Sequence, residues 1–175
     1  SAASDVYKRQ VCAHLRSLHD EPFYSVSCTT REPRPGEVPG ESYHFVSDEQ
    51  FDALIAQDQL LEWATVHGTH RYGTPREPVD EAIAAGRHVI LEIDLQGARQ
   101  VKAHMPDAQL VFLEPPSWDE LVRRLVGRGT EDEATRARRL ETAKLELASV
   151  EEADHRIVNA SVEETVDHLV ALLGL

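Results

Sequence analysis

Residues 29–37 read Thr-Thr-Arg-Glu-Pro-Arg-Pro-Gly-Glu and set two arginines, Arg31 and Arg34, three apart in a proline-stiffened loop. Proline lowers the entropy cost of holding a guanidinium in place. Two such groups can clamp a phosphate through several charge-assisted hydrogen bonds. Tyr43 follows shortly with a further hydroxyl. On the two arginines alone, a solvated surface loop with incidental charges is the favoured reading. Glu92 and Asp94 form a second candidate pair, two acids at the end of the nearly continuous apolar run His88–Ile93. Asp94 could also cap a helix starting near Gln96, but the clustering of two acids at one strand end favours a functional role. The nine histidines are scattered, and His67 and His70 lack any supporting Cys/His cluster. Solvent-facing or capping roles are expected for all nine, and no metal-ligating set is expected.

These residues need elements to position them. Val11, Leu15 and Leu18 recur at helical spacing and predict a short amphipathic helix over 11–18. Phe23–Cys28 reads as a strand, Thr29–Ser42 as an ordered loop rich in Pro and Gly, and Tyr43–Val46 as a strand. Ser47 and Gln50 form a capping box for a helix that carries Phe51, Leu54 and Ile55. Leu60–Val66 is strand-like, and Glu77–Ala85 is a helix closed by Gly86. The run His88–Ile93 predicts a central parallel strand buried on both faces. A helix follows it, then strand Gln109–Leu113 and a helix capped by Ser117 with Glu120. Beyond the Gly127–Thr130 turn come a long helix over about 132–150, strand Arg156–Val158, and helix Val162–Leu173 capped by Ser161. Strands alternating with helices predict an α/β fold with a mostly parallel central sheet. Ligands are expected at the C-terminal strand ends.

Bulk composition narrows the classes. The chain has 175 residues, 18 Lys+Arg against 31 Asp+Glu, and a net charge of −13. That length suits one domain with a real core. Apolar residues at 41% and charged residues at 28% fit a globular chain. The acidity argues against a surface that grips nucleic acid or an anionic membrane, though not against a small basic pocket. Only Lys8, Lys102 and Lys144 are lysines, so the other fifteen cations are arginines, suited to two-pronged holding of phosphate or carboxylate. Cys12 and Cys28 make neither a disulfide framework nor a metal motif, which favours a reduced cytoplasmic setting. No apolar run is long enough to span a bilayer, and the start shows no signal pattern.

The eighteen positions Thr29–Val46 closely resemble the signature of guanylate kinases, arginines, glycines, tyrosine and the Phe-Val ending included. Further resemblances follow in order: Leu61-Glu62-Trp63, Tyr72-Gly73-Thr74, Leu91–Ala98, Phe112-Leu113 with Pro115-Pro116-Ser117, Arg123–Thr130, Arg138-Arg139-Leu140 and Val158-Asn159. Together they cover roughly residues 11–175. The resemblance implies a P-loop NTPase-like fold, ATP and Mg²⁺ as cofactors, and the reaction ATP + GMP ⇌ ADP + GDP. The substrate partners are then GMP and ATP, with neither nucleic acid nor membrane. It implies that Arg31, Arg34, Tyr43 and Tyr72 hold the GMP phosphate. Glu62 would accept bonds from guanine, with Ser27, Gly73 and Thr74 lining the base. A fixed carboxylate matches the N1–H and exocyclic amine of guanine and is left unpaired by adenine. The alternative for Glu62 is an exposed place on an edge strand.

Asp94, with Glu92 beside it, matches a position lining the GMP and magnesium region. Arg124, Arg128 and Arg139 match arginines that approach the transferring phosphoryl group. The alternative for them is a solvated helix face with partners such as Glu120, and Arg138 is expected to be of that surface kind. Asn159 matches a position near the adenine of ATP. The implied GMP-binding subdomain covers about 30–77 and the lid about 118–139, within a single domain spanning 1–175.

The sequence departs from the family at its start. No glycine is followed by lysine, so the Gly-x-x-x-x-Gly-Lys loop that cradles ATP phosphates is not found in these residues. Residues 1–10 read as neither an apolar strand nor such a loop. The expectation is an N-terminally truncated chain with a non-native leader, missing its first strand and phosphate loop, with little or no kinase activity. The stretch Gly68–Tyr72 is also one residue longer than the common family pattern. The competing reading is a non-catalytic guanylate-kinase-like domain that binds partner peptides.

Overall fold

The structure is a computed structural model that describes residues 2–66, 68–126 and 132–175; the side chains of residues 2–6 and 124–126 lie outside the description. The chain divides into two compact units, residues 21–108 and residues 1–20 with 109–175. Parallel strand pairs wrapped by helices give the α/β architecture expected from the alternation of patterns.

In residues 21–108, β1 (Phe23–Tyr24) pairs in parallel with β6 (Val89–Ile90). A four-stranded sheet holds β2 (Cys28–Thr29), β3 (His44–Phe45), β4 (Leu60–Val66) and β5 (His70–Pro75) in the order β3-β2-β5-β4. The expected strand 23–28 is therefore two strands. Its first half pairs with β6 and its second half joins the other sheet, with Ser25–Ser27 as the handover. Both halves are extended, so the sequence shows one run where the hydrogen bonds show two. The run 88–93 is likewise not a central strand buried on both faces. The ladder described pairs Val89 and Ile90, and residues 89–93 are half-buried. Leu91 and Ile93 instead pack onto Leu61, Val79 and Val101.

The strand β5 was not anticipated, because His70-Arg-Tyr-Gly-Thr-Pro75 has no apolar alternation. Its register explains that. Cys28 faces Gly73, and Gly73 faces Trp63, on the side where Phe51 packs. Tyr72 and Thr74 lie on the opposite side with Glu62 and Ala64. The apolar face of this sheet thus passes through a glycine. A β-bulge between Leu60 and Glu62 sends Leu60 to the Phe51 cluster and Leu61 to the Val79 cluster.

The helix α2 (Asp48–Ala56) covers the Gly73 face and has the predicted capping box. Its Phe51 is fully buried. The helix α3 (Arg76–Ala84) ends near Gly86, whose φ of +72° is the left-handed conformation glycine tolerates. The helix α4 (Leu95–His104) starts at Asp94 and packs on β4.

In residues 1–20 with 109–175, β7 (Val111–Glu114) and β8 (His155–Val158) pair in parallel. The helices are α1 (Ala2–Leu18), α5 (Trp118–Val126), α6 (Glu133–Ala148) and α7 (Val162–Leu173). The first helix begins at Ala2 rather than at Val11, so the polar residues before Val11 are helical too. Val11, Leu15 and Val166 are buried where α1 packs on α7. Leu121 and Ala143 form the seam of α5 and α6. Ser117, Asp132 and Ser161 each cap the helix that follows.

Candidate functional site

The loop 30–43 is ordered by its own chemistry. Arg34-Pro35-Gly36-Glu37 closes a turn in which the Glu37 N–H donates to the Arg34 carbonyl at 3.0 Å. Gly36 has φ +86°, as the third position of a type II turn requires. The turn aims the Glu37 carboxylate back at Arg31, giving bonds of 3.0 and 2.9 Å from Nη1 and Nη2. The Arg34 backbone N–H adds a third at 2.8 Å. Arg31 is only 7% exposed. Its Nε donates to the Tyr72 hydroxyl at 3.1 Å, and Nη1 also reaches the Glu32 carbonyl at 2.8 Å. The guanidinium lies 5.4 Å from the Tyr43 ring centre, and Tyr43 meets Tyr72 edge to face at 5.8 Å. The bond to Glu37 holds the Arg31 proton well above the ordinary range, and the same bond holds Glu37 below its own.

The structure therefore revises the arginine pair. Arg31 is buried and already paired, whereas the Arg34 side chain is exposed. Glu37 was the residue that sequence reasoning passed over. Its signal was the Pro-Gly turn that folds it back on Arg31.

Glu62 is buried, not exposed on its edge strand. Its Oε1 accepts from the Thr74 hydroxyl at 2.6 Å across the β4–β5 pair. Burial pushes its carboxyl up to about 7, the Thr74 bond opposes this, and nearby Asp94 adds to it. Tyr72 and Thr74 share a face two residues apart, a span of about 7 Å along the strand. One face thus carries a cationic, hydroxyl-bearing end at Arg31 and Tyr72 and a carboxylate end at Glu62. Gly73 sits closely packed between them: a Cβ there would stand 3.0 Å from Leu60, 3.1 Å from the Glu62 carbonyl oxygen and 3.2 Å from Phe51, so its neighbours would have to shift by a few tenths of an ångström. Ser27 is half-buried, and its carbonyl accepts from the His44 N–H at 2.9 Å.

Asp94 caps α4, its Oδ1 accepting from the Gly97 N–H at 2.8 Å. Glu92 is half-buried on the segment leading to it. Among the described residues no cluster of three metal-ligating side chains occurs.

A sequence profile of guanylate kinases matches residues 1–174. The chain belongs to the guanylate kinase family. The match takes in the first ten residues, which sequence reasoning set apart. Among similar proteins, the guanylate kinase of Leifsonia xyli is 58% identical over 168 residues, covering 96% of this chain and 66% of that protein. The guanylate kinase of Thermobifida fusca is also 58% identical, over 99% of this chain and 88% of its own length. The crystal structure of guanylate kinase from Anaplasma phagocytophilum aligns with a TM-score of 0.80 at 34% identity, covering 95% of this chain and 80% of that one.

The remaining residues that the guanylate kinase resemblance singled out are in the other unit. Arg139 is half-buried on α6, and Arg138 is exposed there. Arg124 is on α5 with its side chain outside the description, and Arg128 lies outside the described residues. Asn159 follows β8 and is 4% exposed, with its Oδ1 buried and lacking a hydrogen-bond partner.

Proposed function

We propose that this chain is the GMP-recognising body of an ATP:GMP phosphotransferase, catalysing ATP + GMP ⇌ ADP + GDP. The observation that carries the reading is the single sheet face with a buried carboxylate, Glu62, at one end and the Arg31–Tyr72 pair about 7 Å along the strand. Glu62 would accept from N1–H and the exocyclic amine of guanine, and Thr74 holds that carboxylate in place. Tyr72 accepts from Arg31, so its own proton is left for a phosphate oxygen. Tyr43, the one unshared N–H of Arg31 and the exposed Arg34 would complete the hold, with Ser27 and Glu92 flanking the base. In this reading the GMP subdomain covers about 30–77 and the lid about 118–139.

Bound ATP would supply the phosphoryl group, and Mg²⁺ would neutralise charge on its oxygens. Two observations suit these groups. Asn159 presents a buried, unpartnered acceptor that fits the amine of adenine. Asp94 spends one oxygen on Gly97, and Mg²⁺ ordinarily needs only one or two carboxylates beside phosphate and water. Arg124, Arg128 and Arg139 would approach the transferring group, where they stabilise developing charge. No helix of the described residues is long and apolar enough to cross a membrane, and Cys12 and Cys28 are not joined in a disulfide; the cytoplasmic setting read from the sequence is part of this proposal.

These 175 residues contain no glycine followed by lysine. A chain of these residues alone is therefore expected to bind GMP without ordinary turnover, and a coupled ADP-release assay at a normal rate would contradict that. Calorimetry with GMP tests the main reading. Binding that Arg34→Glu abolishes supports it. No GMP binding favours the peptide-binding alternative.

A further inference from the structure

The helix α4 meets β4 beside Glu62, and two of its residues make the approach possible. Gly97 is the third residue of the helix, the position whose N–H bonds to the capping Asp94. A Cβ built on Gly97 would stand 2.9 Å from the Glu62 carboxyl carbon and closer still to Oε2. Contacts that short do not occur, so any side chain at 97 must displace something. The helix backbone is fixed by its cap and by its packing on β4, so the carboxylate is the group that would move. Three residues along the same helix face stands Gln100. Its Nε2 donates to the Trp63 carbonyl at 2.7 Å, and its Oε1 accepts from the Trp63 N–H at 3.1 Å. β4 is the outer strand of its sheet, so Gln100 fills the place of a neighbouring strand next to Glu62.

We propose that Gly97, braced by Gln100, is a specificity-determining position: the absence of a side chain at residue 97 lets the first turn of α4 close on the Glu62 carboxylate and fix it for the base. A glycine inside a helix is otherwise a weakness. Here it is explained by a close approach that no other residue permits. Gly97 acts through Glu62 and need not touch the ligand itself. The inference rests on GMP being the substrate, and it adds the residues that set how sharply guanine is read.

The test compares GMP with inosine 5′-monophosphate, which lacks only the exocyclic amine. Calorimetry on the 175-residue chain would measure both ligands for the wild type, Gly97→Ala and Gln100→Ala, with thermal melting alongside. Gly97→Ala should melt no lower than the wild type, since alanine favours the helix and a side-chain end is what gives way. Its GMP affinity should fall on the order of tenfold, the effect of an unmade buried hydrogen bond to a charge, while its inosine monophosphate affinity changes much less. Gln100→Ala adds no atom and should narrow the same margin by a smaller factor, which keeps the test decisive if Gly97→Ala folds poorly. A structural role alone would lower the melting point and both affinities together. If the wild type prefers GMP and both variants keep its full margin, the inference is overturned while GMP recognition stands. If the wild type shows no preference for GMP, the underlying reading falls and this one with it.

Discussion

Arg31 donates four of its five N–H groups within the protein: one from Nε, two from Nη1 and one from Nη2. In the proposed site the remaining N–H on Nη2 would face an incoming phosphate. Such an arginine is a fixed post rather than a closing hand, and the exposed Arg34 is the side chain free to close. Glu37→Gln would place amide hydrogens against the guanidinium and loosen the post. We expect GMP affinity to fall on the order of tenfold, with AMP falling by the same factor because the change is at the phosphate end. Calorimetry with both ligands checks this.

Glu62 gives a pH dependence. Its folded value, raised to about 7, lies above the ordinary 4.5. The folded chain therefore binds the extra proton, and its unliganded stability should decline as pH rises from about 4.5 to about 7 and then level off. The proposed contact of Glu62 with guanine requires the ionised carboxylate, so GMP affinity should rise through the same upper range. The phosphate of GMP titrates near pH 6 in the same direction. Glu62→Gln should keep only that component, and a pH series of binding isotherms on both proteins separates the two.

At the scale of elements, α2 backs the face opposite the site. Phe51→Ala removes a fully buried ring from between Gly73 and Trp63 and should cost about 3–5 kcal/mol in denaturant melts. Ser47→Ala removes only the cap and should cost about 1 kcal/mol. The caps were legible in the sequence because they are local. Ser47 with Gln50 and Ser161 with Glu164 are signals four residues long, and α2 and α7 begin where those signals place them. The strand β5 was not legible, because one of its faces carries the polar Tyr72 and Thr74 and the other a glycine. The split of 23–28 between two sheets was not legible either, since pairing partners are chosen tens of residues away. The same holds within the site. Arg31, Tyr72, Glu62 and Thr74 could be placed from motifs, whereas the approach of Gly97 to Glu62 spans 35 positions of chain and leaves no local trace.

For the molecule as a whole, every residue assigned to GMP lies in residues 21–108. Leu15→Ala, in the α1–α7 core of the other unit, should lower stability by about 2–5 kcal/mol. It should leave GMP affinity unchanged below the melting range, since none of the residues assigned to GMP belongs to that unit and independent sites contribute additively. A parallel loss of affinity would show that the subsite depends on that core. The net charge of −13 is compatible with an anionic ligand, because in the proposed site recognition would rest on Arg31 and Arg34 in one loop and not on the field of the surface. The central claim is that Glu62 reads guanine, and calorimetry of GMP and AMP on the wild type and Glu62→Gln tests it most directly. A wild-type preference for GMP on the order of a hundredfold or more is expected, reduced to a few-fold in the variant. An equal preference in both proteins would contradict it.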